Sequence, residues 1–141
     1  MFVQVKRIDK ELPLPEYKTP GAAACDLYCR ETIIIPPGKI RYIPQNVILK
    51  IPQDTWVLLA ARSSAIKKGI TQANGIGIGN YDFRGENDEY PFAALNITRE
   101  PVTINRGDRI AQMIILERKR ATIEEIETVN KQSRGSFGST G

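Results

Sequence analysis

Apolar residues in this chain fall in short runs rich in β-branched and aromatic side chains. The runs extend over Phe2 to Ile8, Ala23 to Ile35, Ile40 to Ile51, Trp56 to Arg62, Phe92 to Ile97 and Ile110 to Leu116, and Pro and Gly bound them. Such runs between turn residues predict strands. Nine prolines and eleven glycines interrupt the chain, among them Pro36-Pro37-Gly38, Pro44, Pro52, Gly75, Gly77, Gly79 and the Gly of Arg106-Gly107-Asp108. They leave little room for a long helix. The pattern predicts an all-β fold, a jelly-roll-like β-sandwich. Only Ser63 to Lys68 has room for one or two helical turns, with Ser63 or Ser64 as N-cap and free backbone amides that suit an anion.

With 141 residues, 41% of them hydrophobic, the chain fits one domain that buries roughly 68–70% of its unfolded surface. Composition changes only near the end, where KQSRGSFGSTG is built of small residues. The expected division is a β domain over 1–130 and a flexible C-terminal arm over 131–141. No apolar run is long enough for a membrane span and MFVQVKRIDK has no signal-peptide core, so the expected location is the cytoplasm. Cys25 and Cys29 match neither a redox CxxC nor half a zinc site. In one strand they would face the same side as small apolar fillers. Trp56, inside an apolar run, reads as a core anchor.

A formal charge of +4 favours anionic partners. Arg118-Lys119-Arg120 has no interleaved aromatics, so polymeric nucleic acid is not an expected partner. The chain contains no histidine, which excludes His bases, Ser-His-Asp triads and His-ligated metals. Chemistry falls to carboxylates, hydroxyls, amides, Arg and Lys.

Two segments offer such groups. Arg62-Ser63-Ser64 supplies a guanidinium and two hydroxyls ahead of the short helix, which suits a phosphate chain or, equally, a cap on a solvated surface. From Asn74 to Asn80 glycine alternates with isoleucine. One face of such a strand is bare backbone, against which a flat ligand can lie, while Ile76 and Ile78 would anchor in the core. A bulged hairpin is the other reading. The acidic residues Glu86, Asp88 and Glu89 that follow read as a solvated hairpin or a cation site.

Five segments, in order, resemble the five motifs of the trimeric dUTP pyrophosphatases: GAAACDL (Gly21 to Leu27), ARSSAIKKGI (Ala61 to Ile70), NGIGIGNYDFRGE (Asn74 to Glu86), RGDRIAQMI (Arg106 to Ile114) and RGSFGSTG (Arg134 to Gly141). The resemblance covers nearly the whole chain. It implies a jelly-roll subunit in a homotrimer with active sites at subunit interfaces, splitting dUTP into dUMP and pyrophosphate with Mg2+. By this similarity Asn74 and the backbone of Gly77, Ile78 and Gly79 hold uracil. Phe83, in place of the usual tyrosine, packs under the deoxyribose. Arg62, Ser63, Ser64 and Gln112 meet the triphosphate, Asp26 helps orient the metal through water, Arg134 reaches the γ-phosphate and Phe137 caps the base.

Two departures stand out. Aligning Phe83-Arg84-Gly85 on the family's Tyr-Arg-Gly puts Asn80 where a carboxylate orients and deprotonates the attacking water. A neutral amide cannot accept that proton, and Asp82 is the nearby substitute. Arg134 and Phe137 also stand two residues closer than in the family's RGxGGF pattern. A dUTP-binding protein that does not hydrolyse is the alternative that Asn80 permits. A dCTP deaminase is disfavoured by Lys67, where that family's RSSxxR carries arginine, and by PFAALNIT in place of its glutamate-containing strand.

Overall fold

A computed structural model of the chain describes residues 1–129 and Gly135. Eleven strands account for nearly all regular structure in it: β1 (Gln4–Arg7), β2 (Cys25–Asp26), β3 (Ile33–Ile35), β4 (Ile40–Pro44), β5 (Val47–Lys50), β6 (Thr55–Ala61), β7 (Ile70–Gln72), β8 (Gly77–Gly79), β9 (Pro91–Asn96), β10 (Val102–Ile104) and β11 (Ala111–Glu117). Every strand pair is antiparallel. A four-stranded sheet runs β2-β11-β6-β8, a three-stranded one β4-β9-β7, and β1-β5 and β3-β10 form two-stranded ribbons. No helix among the described residues is long and apolar enough to cross a membrane.

Strand β6 shows why the layers form. Thr55, Val57 and Leu59 are buried while the alternate positions are half-buried, as the two-residue period of a strand requires. Val57 and Leu59 join Ala111 and Met113 of β11 in one buried cluster with Ile43, Ile70, Phe92 and Ala94 of the other sheet. The result is an all-β sandwich around a single core.

Several expected features differ. Trp56 faces away from Val57 and is only half-buried, so it is not a core anchor. The run Ala23 to Ile35 splits into β2 and β3, so Cys25 and Cys29 do not share a strand face. Cys29 is fully buried, Cys25 half-buried, and both are free thiols. The run Ile40 to Ile51 breaks at Gln45-Asn46, where Asn46 adopts φ 63°. Its side chain exchanges hydrogen bonds with Asp9, Nδ2 donating to the Asp9 carbonyl at 2.9 Å, and its N–H donates to Glu89 Oε1 at 2.8 Å. These bonds hold a left-handed turn that no glycine marks. Strands β7 and β10 are three residues each and lie outside the apolar runs.

The helical turn is also smaller than expected. A 3-10 turn covers Ile66–Lys68, its N-cap position is Ala65 without a side-chain cap, and Gly69 closes it at φ 83°. Ser63 and Ser64 instead lie in the preceding turn, which Ala65 N–H closes onto the Arg62 carbonyl at 2.9 Å.

Candidate active site

The charged residues of the site gather at the end of the four-stranded sheet. Register places Gln112 of β11 opposite both Asp26 of β2 and Ala60 of β6. Arg62 leaves β6 with its N–H donating to the Ile110 carbonyl at 2.8 Å. Asp26 is 5% exposed, and a carboxylate that deep requires a charged partner. It has two: Arg62 Nε lies 2.9 Å from Oδ1 and Arg109 Nη1 lies 3.1 Å from Oδ2. Arg62 Nη1 also donates to the Arg109 carbonyl at 3.0 Å and to Ser64 Oγ at 3.4 Å. Gln112 Nε2 donates to the Ala61 carbonyl at 3.1 Å, and Ser63 is exposed. Two guanidinium groups, two hydroxyls and an amide thus form an electropositive platform suited to phosphate oxygens. Arg109 was not singled out from the sequence, although it stands in the fourth motif.

A second place on the chain is a cavity of about 240 Å3. Asn74, Gly77, Ile78, Gly79, Asn80 and Phe83, all sequence-derived candidates, line it. Leu59, Tyr90 and Pro91 complete the wall and were not anticipated. Pairing of β8 with β6 sets Gly77 against Leu59 and Gly79 against Val57. The bare glycine face looks inward, onto Leu59 and Tyr90, while Ile76 and Ile78 are 47% and 66% exposed. The isoleucines therefore do not anchor in this chain's core, because the inward positions of β8 belong to the glycines.

After Gly79 the strand ends. Asn80 opens a turn in which Phe83 N–H donates to the Asn80 carbonyl at 3.1 Å, and Asp82, at its apex, is exposed and no part of the cavity wall. Phe83 meets Tyr90 edge to face, ring centroids 5.2 Å apart. Tyr90 is 4% exposed and its hydroxyl has no hydrogen-bond partner among the described residues. Burial, with the charge of Asp88 in a lesser part, pushes its phenol up to about 12.

The acidic segment is exposed over 84–87 and half-buried at Asp88 and Glu89, and its three carboxylates have partners within the chain. Glu86 pairs with Lys6, Asp88 Oδ2 accepts from Gly85 N–H at 2.6 Å, and Glu89 takes both Arg30 Nε at 2.9 Å and Nη2 at 3.0 Å. No cluster of three or more His, Cys, Asp or Glu among the described residues could hold a metal ion. Arg134 and Phe137 lie outside the described residues. The platform and the cavity are separate: none of Asp26, Arg62, Ser63, Ser64 or Gln112 lines the cavity.

Comparison with known proteins gives this arrangement a relationship. The family model described as dUTPase matches residues 10–141. A deoxyuridine 5′-triphosphate nucleotidohydrolase of Thermoanaerobacter sp. (strain X514) is 38% identical over 148 residues, covering 100% of this chain and 98% of its own length. The crystal structure of the Streptococcus mutans dUTPase superposes with a TM-score of 0.77 at 25% identity, over 84% of this chain and 98% of that one. A Staphylococcus bacteriophage 80alpha dUTPase solved with dUPNHPP shares the fold, with a TM-score of 0.80 at 22% identity over 99% of this chain and 98% of that one. A match that spans both sheets, the charged platform and the glycine-lined cavity in one continuous stretch means that the chain belongs to the dUTPase family.

Proposed function

We propose that the chain hydrolyses dUTP to dUMP and pyrophosphate with Mg2+, in a homotrimer whose sites form where subunits meet. The observation that carries this reading is the cavity whose wall is main chain at Gly77 and Gly79 with the Asn74 amide beside it. Backbone donors and acceptors plus one carboxamide present a fixed pattern that uracil can match. Cytosine, which exchanges a carbonyl for an amino group, would leave buried polar groups unpaired. Phe83 in the same wall suits the apolar face of deoxyribose.

Arg62, Ser63, Ser64 and Gln112 would bind the phosphate chain, and Arg109 joins them by holding Asp26. Two guanidinium groups beside Asp26 disfavour a cation bonded directly to it. The carboxylate fits contact through water with an ion that arrives on the triphosphate. When bound, Mg2+ would offset phosphate charge during in-line displacement. Residues 1–130 form the catalytic body, and the arm 131–141 would bring Arg134 to the γ-phosphate and Phe137 over the base. The separation of platform and cavity on one chain supports the trimer, since a neighbouring subunit can set its platform against this chain's cavity.

Asn80 favours a second reading, binding without turnover, because it occupies the cavity wall while Asp82 stands outside it. Incubation with dUTP and Mg2+ tests both. Pyrophosphate release is expected; tight binding of dUPNHPP by a protein that releases no pyrophosphate from dUTP would establish the second reading, and ammonia release from dCTP would reject both. Sedimentation at micromolar concentration is expected to give a trimer, and a monomer would remove the shared-site arrangement.

A further inference from the structure

We propose that Tyr90 is a specificity-determining residue of the cavity: its ring and hydroxyl fill the space beneath Gly79 and limit the pocket to a single unsubstituted pyrimidine ring. This rests on the nucleotide-binding reading given above. The tyrosine backbone is pinned from both sides, its N–H donating to the Val47 carbonyl at 3.0 Å and its carbonyl accepting from Gln45 N–H at 2.9 Å. Phe83 holds the ring edge-on at 88°. Within that frame the ring reaches β8. A Cβ added to Gly79 would fall on the Tyr90 hydroxyl and lie 2.5 Å from Cε1 and 2.7 Å from Cζ.

Glycine and tyrosine are therefore matched in volume, since the ring takes the room that any side chain at position 79 would occupy. Among the described residues its buried hydroxyl has no hydrogen-bond partner, so the role that these residues give the tyrosine is steric. What the oxygen does is occupy space directly under a strand that forms the cavity wall. A shorter side chain at 90 would deepen the cavity there.

The test is calorimetric titration of the full chain and its Tyr90→Phe and Tyr90→Leu variants with dUDP, dTDP and dIDP, each protein checked first by thermal melting. dTDP enlarges the base by a methyl at one edge, dIDP by a second ring at another. The unsubstituted protein is expected to prefer dUDP, and Tyr90→Phe, which keeps the ring and loses only the oxygen, to weaken that preference less than Tyr90→Leu does. Tyr90→Leu is expected to raise affinity for at least one enlarged base relative to dUDP by roughly tenfold or more, the range over which one methylene is discriminated in an apolar pocket. If Tyr90→Leu does not fold, Tyr90→Met carries the same expectation. An unchanged ratio in a folded variant that binds dUDP overturns the proposal while leaving the nucleotide reading intact. Failure of the unsubstituted protein to bind dUDP at all overturns the nucleotide reading, and the role of Tyr90 with it.

Discussion

The charged platform and the base cavity sit on the same β-sheet and are held by opposite means. At the platform a buried carboxylate, Asp26, fixes two arginines, and the chain's polar groups answer one another at 2.9–3.1 Å. At the cavity the fixing is steric: Gly79 gives way to Tyr90, Tyr90 to Phe83, and a phenol hydroxyl has no partner among the described residues. On the proposed reading, the difference follows from what each would receive. A phosphate chain demands charge, and exposed guanidinium groups keep one geometry only if something anchors them. A flat base demands shape and a few fixed polar atoms, which a backbone provides once side chains are out of its way.

If the halves are independent, damage to the platform should spare the cavity. Arg62→Ala removes the proposed phosphate donor and leaves Asp26 paired with Arg109. We expect kcat/KM for dUTP to fall by roughly 10²–10³-fold, as for loss of one aimed donor. Stability should fall by about 1–2 kcal/mol, below the figure for a fully buried pair because Arg62 is 27% exposed and one partner remains. Affinity for deoxyuridine, which has no phosphate, should hold within a few-fold. An equal loss for deoxyuridine would show that the two places are one site.

Asn80 tests the boundary between the halves. Asn80→Asp is expected to raise the hydrolysis rate by at least about tenfold while nucleotide affinity stays within a few-fold, because a carboxylate restores a proton acceptor of the same shape. None of the platform residues lines the cavity that Asn80 borders, so the platform should be undisturbed. Steady-state rates decide it, with Asp82→Ala as the companion variant. Turnover that vanishes in Asp82→Ala and is unchanged in Asn80→Asp would move the base to the turn apex, although Asp82 is outside the cavity wall.

The two halves also differ in how far the sequence discloses them. Arg62, Ser63, Ser64 and Gln112 are polar groups in recognisable segments, and the fold brings them together at one end of the four-stranded sheet. The glycine alternation disclosed a bare strand face as well, yet its direction was misread. A period of two says that glycines and isoleucines face opposite sides but not which side is inward, and that depends on β6 pairing and on Tyr90. Arg109 and Tyr90 were missed for a related reason. Each acquires its role from a partner distant in sequence, Asp26 in one case and Gly79 in the other. The strands in apolar runs were legible, whereas the break at Asn46 was not, because side-chain bonds to Asp9 stabilise it rather than a turn residue.

The smallest expected effect separates the halves by titration. Tyr90 holds its proton up to about 12 in the folded chain against an ordinary 10, and Cys29 likewise to about 12 from 9, both chiefly through burial. The unfolded chain loses these protons first, so the stabilisation is complete below about pH 9 and drains away as pH rises toward 12. At about pH 10.5 the share belonging to Tyr90 is about 1 kcal/mol, and that of Cys29 about 2 kcal/mol. Neither Tyr90 nor Cys29 is paired with Arg62 among the described residues, so a change at Arg62 should leave this loss as it is. Urea midpoints at about pH 8 and about pH 10.5 should therefore show Tyr90→Phe losing about 1 kcal/mol less than the unsubstituted protein, and Arg62→Ala losing as much as it. Equal losses in all three would mean that the phenol reaches solvent, and the steric closure of Gly79 on Tyr90 that defines the cavity would have to be given up.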